Sequence, residues 1–216
     1  MLTFYVRMKS LELITHYTNV HHTDISSHLE VIYKETYAMN PKVIVELGIR
    51  GAESSRIFGC ITDELNAHLI GVDIEPPYQF DYSKIKNSRL VLMDDVECAY
   101  TYKDLLKGMV NVLFIDTSHI YDHTVKEIAA WFPLLSDKAL IIFHDTNLDG
   151  KGYYRKDGKM EMNWNNDRGV TRAIEEYLNI VIDEKTNFDM TLQRGDIKWT
   201  LKHYSNSNGL LLLWKN

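Results

Sequence analysis

The sequence predicts one α/β domain, residues 1–216, built on a mostly parallel sheet with helices on both faces. Three observations carry that expectation. Apolar and β-branched runs such as VIVEL and VNVLFI are nearly unbroken, as in strands covered on both sides. They alternate with stretches whose apolar residues recur every three to four positions, the helical period. One run after another also ends in or beside an acid: Glu46, Asp73, Asp94, Asp116 and Asp145.

Residues 1–40 are expected to form an N-terminal helical segment. Within it SSHLEVIYKETYAM places Ser27 and Glu30 at capping-box spacing and Leu29, Ile32 and Tyr33 on one stripe. VIVEL is the first strand, and Gly48 and Gly51 follow it in a tight loop. Ile57, Phe58, Ile61 and Leu65 then mark a helix, and HLIGVD a second strand ending at Asp73. This is a βαβ unit. RLVLM reads as a third strand, with Asp94 and Asp95 just beyond it, and VNVLFID as a fourth ending at Asp116. Val125, Ile128, Ala129, Phe132 and Leu135 predict the buried stripe of the next helix, and ALIIFHD a fifth strand ending at Asp145. Residues 147–169 break the pattern with glycines, asparagines and charges. So long a loop within a compact domain is expected to be a substrate lid, with Tyr153, Tyr154 and Trp164 available to stack on a flat acceptor. Val170, Ala173, Ile174, Tyr177 and Leu178 mark a last helix. FDMTLQ, KWTLKHY and GLLLLWK then finish the sheet with an antiparallel hairpin.

Composition narrows the partners. With 45% hydrophobic residues the chain can bury a full core, and its net charge of −6 gives no reason to approach a nucleic-acid backbone or an anionic membrane. Cys60 and Cys98 have no metal-type spacing and are too few for a disulfide scaffold, and no stretch reaches the roughly 18 apolar residues of a membrane span. The expectation is a soluble cytoplasmic protein with a small-molecule partner. The chain leaves its oligomeric state open, a homo-oligomer included. His21, His22 and His28 have no chemical context and read as surface residues.

In open parallel sheets ligands bind beyond the carboxyl ends of the strands, where connections change direction. A dinucleotide site needs G-x-G-x-x-G there, but the order here is Glu46, Gly48, Arg50, Gly51. Glu46 would repel a pyrophosphate and attract a ligand carrying an ammonium and a sulfonium. S-adenosylmethionine is such a ligand. Asp73, 73 − 46 = 27 residues after Glu46, can accept hydrogen bonds from both ribose hydroxyls, and Asp94 or Asp95 can address the adenine amino group. Each acid alone is as readily a helix cap; the ordered set is the signal.

The ordered set resembles the class I S-adenosylmethionine-dependent methyltransferases. Within them it resembles the O-methyltransferases related to the macrocin and mycinamicin sugar methylases and to the protein named cephalosporin hydroxylase. The segments carrying the likeness are TDISSHL, VIVELGIRGAESS, LIGVDIEP, LFIDTSHIYDHTVKEIAAWFPLL, LIIFHDT, RGVTRAIEEYL and WTLKHYSNSNGLLLLWK, with DTSH and HDT its most specific parts. The resemblance implies a Rossmann-like seven-stranded sheet with the last strand reversed, and cofactor contacts at Glu46, Gly48, Gly51, Asp73 and Asp94 or Asp95. It also implies methylation of a hydroxyl on a sugar, glycoside or polyketide-like metabolite.

A sugar hydroxyl is a poor nucleophile, helped by a divalent cation that lowers its pKa or by a general base. Asp116 and Asp145 offer hard oxygen ligands suited to Mg2+, and the related sugar methylases bind magnesium at matching positions. His144 departs from them, standing where those relatives carry an acid. With His144 the site prefers manganese, zinc or iron, uses the two carboxylates alone, or has lost the metal. His119 is the candidate base, since an unperturbed imidazole titrates at about 6.5, and the likeness points to it too. His123 is its alternative, four positions on and sharing a helical face. Arg50 is expected to point into solvent. The rival functions are a nicotinamide-dependent dehydrogenase, disfavoured by the misordered glycines, a metal-dependent hydroxylase, disfavoured by the lack of H-x-D spacing, and a methyltransferase-like binding domain without turnover.

Overall fold

A computed structural model describes residues 2–19, 23–78, 80–148, 153–154, 160–161 and 168–216. Helices α1 (Leu2–Asn19) and α2 (Leu29–Ala38) precede strand β1 (Val43–Leu47), with a 3-10 turn at Ser26–His28 between them. Then come α3 (Glu53–Leu65), β2 (His68–Asp73), β3 (Ser88–Leu92), α4 (Asp95–Thr101), α5 (Lys103–Leu106), β4 (Val110–Ile115), α6 (Tyr121–Trp131) and β5 (Leu135–His144). Two-residue strands β6 (Tyr153–Tyr154) and β7 (Met160–Glu161) pair with each other. Helix α7 (Gly169–Leu178) and strands β8 (Phe188–Arg194), β9 (Ile197–Tyr204) and β10 (Leu210–Lys215) complete the chain. The rest of the expected lid, Trp164 included, lies outside the described residues.

The main sheet has the order β3-β2-β1-β4-β5-β10-β9-β8. Its first five strands are parallel, and β10, β9 and β8 follow, each antiparallel to the strand before it, with β10 antiparallel to β5. The sheet thus has eight strands where the resemblance implied seven. The extra one is the edge strand β8, which turns at Gly195 and pairs with β9 from Phe188↔His203 to Arg194↔Ile197.

Strand alternation divides the core into two layers. Val43, Val45 and Leu47 face one layer with Ala139, Ile141, Phe143, Leu211 and Leu213, under α6 and α7. Ile44 faces the other with Leu140, Ile142, Leu210 and Leu212, under α2 and α3. Ile57, Phe58 and Ile61 of α3 are fully buried, each worth about 1.5–3 kcal/mol of transfer free energy.

Three local expectations change. Ser27 caps no helix: α2 starts at Leu29 without a side-chain cap, and Ser27 Oγ lies 2.9 Å from Ser207 Oγ, so a tertiary contact replaces the capping box. Ala129 is exposed, and the buried face of α6 is Thr124, Glu127, Ile128, Ala130 and Trp131, which carries an acid inward. Among the described residues no helix is long and apolar enough to cross a membrane.

Candidate active site

Strand β1 lies between β2 and β4, so the chain reverses its direction across the sheet at the carboxyl ends of β1 and β4. A cleft of about 920 Å³ opens there. Gly48 makes the junction. Its N–H donates to the Val72 carbonyl (2.9 Å), its φ is +80°, and a Cβ on it would overlap the backbone of Asp116, with the carbonyl carbon at 2.8 Å. Arg50 and Ala52 also have positive φ, +44° and +60°, giving the loop its curl before α3. Arg50 is exposed and lines the cleft.

Glu46 does not line the cleft. Its side chain points to the layer under α3, opposite to Val45 and Leu47, and is 0% exposed. Ser54 Oγ donates to Oε1 (2.5 Å), and Ser55 Oγ (2.6 Å) and Tyr82 OH (3.2 Å) donate to Oε2. Burial pushes its carboxyl up to about 7 against those three hydroxyls. Glu46 therefore anchors the first turn of α3, and it reaches the cleft only through Ser54, which does line it.

Asp73 lines the cleft at the end of β2. Its Oδ2 accepts from Ile49 N (2.8 Å) and Arg50 N (3.4 Å), and its Oδ1 from Glu75 N (3.0 Å), so it also fixes the glycine loop. Asp94 caps α4 through Glu97 N (2.9 Å) and stays exposed. Asp95 is buried with His123, whose Nε2 lies 3.0 Å from Oδ1. Burial would raise the Asp95 carboxyl, but the hydrogen bonds from His123, Glu127 and Val96 N and the charge on His123 together hold it below its ordinary value. Behind this pair Glu127, 0% exposed, is held well above the usual carboxylate range by burial and by Asp95, and it accepts from Thr117 Oγ1 (2.6 Å).

Asp116, His119, His144 and Asp145 converge beyond β4 and β5. His119 Nε2 lies 2.7 Å from Asp145 Oδ2 and 3.2 Å from Asp116 Oδ1; His144 Nδ1 lies 3.4 and 3.3 Å from the same two oxygens. His119 (φ +58°) and Asp145 (φ +56°) both have left-handed backbone, a costly conformation often found at functional sites. Burial opposes charge on His119, but Asp145 and Asp116 raise it to about 9. His119 thus holds a proton at neutral pH and must release it before serving as a base, unlike a free imidazole. The two histidines also separate: α6 starts at Tyr121, so His119 precedes it and shares no helical face with His123, which pairs with Asp95.

His28 is a correction. It is 1% exposed, donates or accepts at Asn206 O through Nε2 (3.1 Å), and stands edge to face with His144 at 5.7 Å between centroids. Burial, then the charge on His144, pulls it down to about 4. Its contacts lie more than a hundred residues away, so no local pattern marks it. Thr23, Asp24 and Ile25 line the cleft for the same reason, and Ile74, Tyr78 and Met93 add apolar walls beside Asp73 and Asp94.

A cation fits the chemical end. Asp116, His144 and Asp145 each offer one ligand atom within 4.8 Å of the others, and the buried Asp145 Oδ1 has no hydrogen-bond partner among the described residues. The imidazoles of His119 and His144 compensate the two carboxylates in this structure and would compete with an ion for them. A second trio, Asp94, Asp95 and His123, has similar spacing.

Residues 45–146 match the family model of a methyltransferase domain. That match covers 102 of the 216 residues, from the third residue of β1 to just past β5. Solved structures agree at the level of fold. The MycE methyltransferase of the mycinamycin pathway, in complex with Mg, SAH and mycinamycin VI, is similar over 95% of this chain and 54% of its own, at 15% identity and a TM-score of 0.56. This chain thus spans about half of MycE. CalS11, a TDP-rhamnose 3'-O-methyltransferase of calicheamicin biosynthesis, is similar over 92% of this chain and 93% of its own (15% identity, TM-score 0.51). So is a protein described as a putative rRNA-methylase from Clostridium thermocellum, over 90% and 96% (12% identity, TM-score 0.52). Comparison with curated proteins gives no significant match. These likenesses establish a shared fold.

Proposed function

We propose that this chain transfers the methyl group of S-adenosylmethionine to a hydroxyl oxygen of a small molecule of the sugar, glycoside or polyketide class. One observation carries the cofactor: seven of the side chains lining the cleft are Asp or Glu, against a single arginine. Such a rim attracts a ligand bearing a sulfonium and an ammonium and repels a pyrophosphate. Asp73 would hold the ribose hydroxyls, with Asp94 or Asp95 at the adenine and Ile74 and Met93 as apolar walls. Gly48 and Gly51 let the backbone approach the amino-acid end, with Glu46 supporting α3 from behind.

Methyl transfer neutralises charge as the sulfonium gives up its carbon, so the protein has mainly to align donor and acceptor and remove a proton. His119 would take that proton, with Asp145 and Asp116 orienting its ring. A divalent cation held by Asp116, Asp145 and His144 would lower the pKa of an acceptor hydroxyl. An acidic cleft on a chain of net charge −6 disfavours a nucleic-acid acceptor. Cys60 and Cys98, both buried and outside any disulfide among the described residues, suit a reducing cytoplasm.

The test is mass spectrometry for a gain of one methyl group across sugars, glycosides and an RNA control, with S-adenosylmethionine as donor. Methylation of a hydroxyl compound supports the proposal. Methylation of RNA alone overturns the acceptor class, and cofactor binding without turnover on any acceptor favours a binding domain.

A further inference from the structure

We infer that the trio Asp116, His144 and Asp145 selects a borderline first-row transition dication, of the Fe2+, Co2+ or Zn2+ kind, over Mg2+, with His144 Nδ1 as a ligand. The inference rests on the metal-assisted form of the proposed reaction and deepens it.

The donor set decides the class. Mg2+ takes oxygen ligands in a near-ideal octahedron and gives up water reluctantly, whereas imidazole nitrogen suits the later first-row ions. In this chain a nitrogen cannot be avoided. His144 is the last residue of β5, its side chain is 1% exposed, and its ring is fixed edge to face against the buried His28. It has no solvent side into which to swing and leave its place to water. Its Nδ1 lies 3.3 Å from Asp116 Oδ1 and 3.4 Å from Asp145 Oδ2, close to the spacing of neighbouring ligand atoms around an ion with bonds of roughly 2.0–2.2 Å.

A second observation points to a ligand at the same place. Among the described residues Asp145 Oδ1 is buried without a hydrogen-bond partner, on a side chain that is 3% exposed and lines the cleft. An oxygen so placed can complete a bidentate carboxylate or accept from a metal-bound water. Asp116 and Asp145 also line the cleft, where an acceptor hydroxyl would arrive.

The experiment strips the full chain with a chelator and titrates it with Co2+ and with Mg2+. Calorimetry gives the affinities, and the visible absorption of Co2+ reports a nitrogen ligand. S-adenosylmethionine binding is measured on the same samples. Expected is Co2+ tighter than Mg2+ by at least about a hundredfold, with His144→Glu shrinking that ratio by at least about tenfold and His123→Gln leaving it unchanged. Equal or tighter Mg2+ in the wild type overturns the inference without recourse to any variant, which covers the case that His144→Glu fails to fold. So does a ratio that follows His123, which would place the ion at Asp94 and Asp95, or no dication binding at all. If cofactor binding persists in those cases, the metal class alone has failed. Loss of cofactor binding would instead sink the methyltransferase proposal.

Discussion

The backbone carbonyl of Asp116 occupies the space that a Cβ on residue 48 would need. The glycine loop after β1 and the end of β4 are therefore in direct backbone contact. Gly48→Ala should suffer twice, from its φ of +80° and from overlap with Asp116. We expect a loss of at least about 2 kcal/mol, or roughly 4–8 °C in Tm for a chain of this size, in thermal melts. An unchanged Tm would mean that the two loops are not packed as described.

Asp73→Ala removes the carboxylate that faces the proposed ribose and also ties down Ile49 and Arg50. A hydrogen bond to a charged group is worth about 1.5–3 kcal/mol, so S-adenosylmethionine should bind at least about tenfold more weakly by calorimetry. Unchanged affinity removes Asp73 from the cofactor site.

His119→Gln keeps a hydrogen-bonding group beside Asp145 and Asp116 but cannot carry the proton. Turnover should fall by about a hundredfold or more while cofactor affinity holds. Full activity would exonerate His119 and direct attention to His123.

Glu46 gives a pH signature. Its carboxyl is near 7 in the folded chain, raised by burial from an ordinary 4.5, so the folded state binds more protons between those values. Its contribution to stability therefore falls as pH rises from about 4.5 to about 7, by an amount on the order of a few kcal/mol. Glu46→Gln should be relatively more stable at about pH 8 than at about pH 5 when each melt is compared with wild type. Parallel curves would show that Glu46 ionises as freely folded as unfolded.

Glu127 is predicted to be neutral, since burial and Asp95 hold its proton. Glu127→Gln should change stability by less than about 1 kcal/mol, whereas Glu127→Leu, which leaves Thr117 Oγ1 and Asp95 without their hydrogen-bond partner, should cost about 1–3 kcal/mol. The comparison is a pair of denaturant titrations.

The parts of this molecule that were legible in its sequence are those set by local periodicity. The strand runs, the acids at their ends and the glycine loop fall where the pattern puts them, because a buried parallel strand has to be apolar and its ligands have to come after it. Asp73, Asp94, Asp95, Asp116 and Asp145 all line the one cleft. What was not legible depends on direction or on distance. Glu46 sits one residue from the strand end and alternation turns it under α3, so a carboxylate that reads as a ligand becomes a buried anchor. Glu127 falls on the inner face of α6 because Asp95 and Thr117 await it there, and His28 is buried by Asn206 and His144. The β8 edge was visible as FDMTLQ, but its pairing with β9 adds an eighth strand that the resemblance did not imply.

The most direct test is calorimetry of the purified chain with S-adenosylmethionine and, separately, with NADH. An acidic cleft with this glycine order should bind the sulfonium ligand and ignore the dinucleotide. Tight binding of NADH with no heat from S-adenosylmethionine would contradict the proposal at its root.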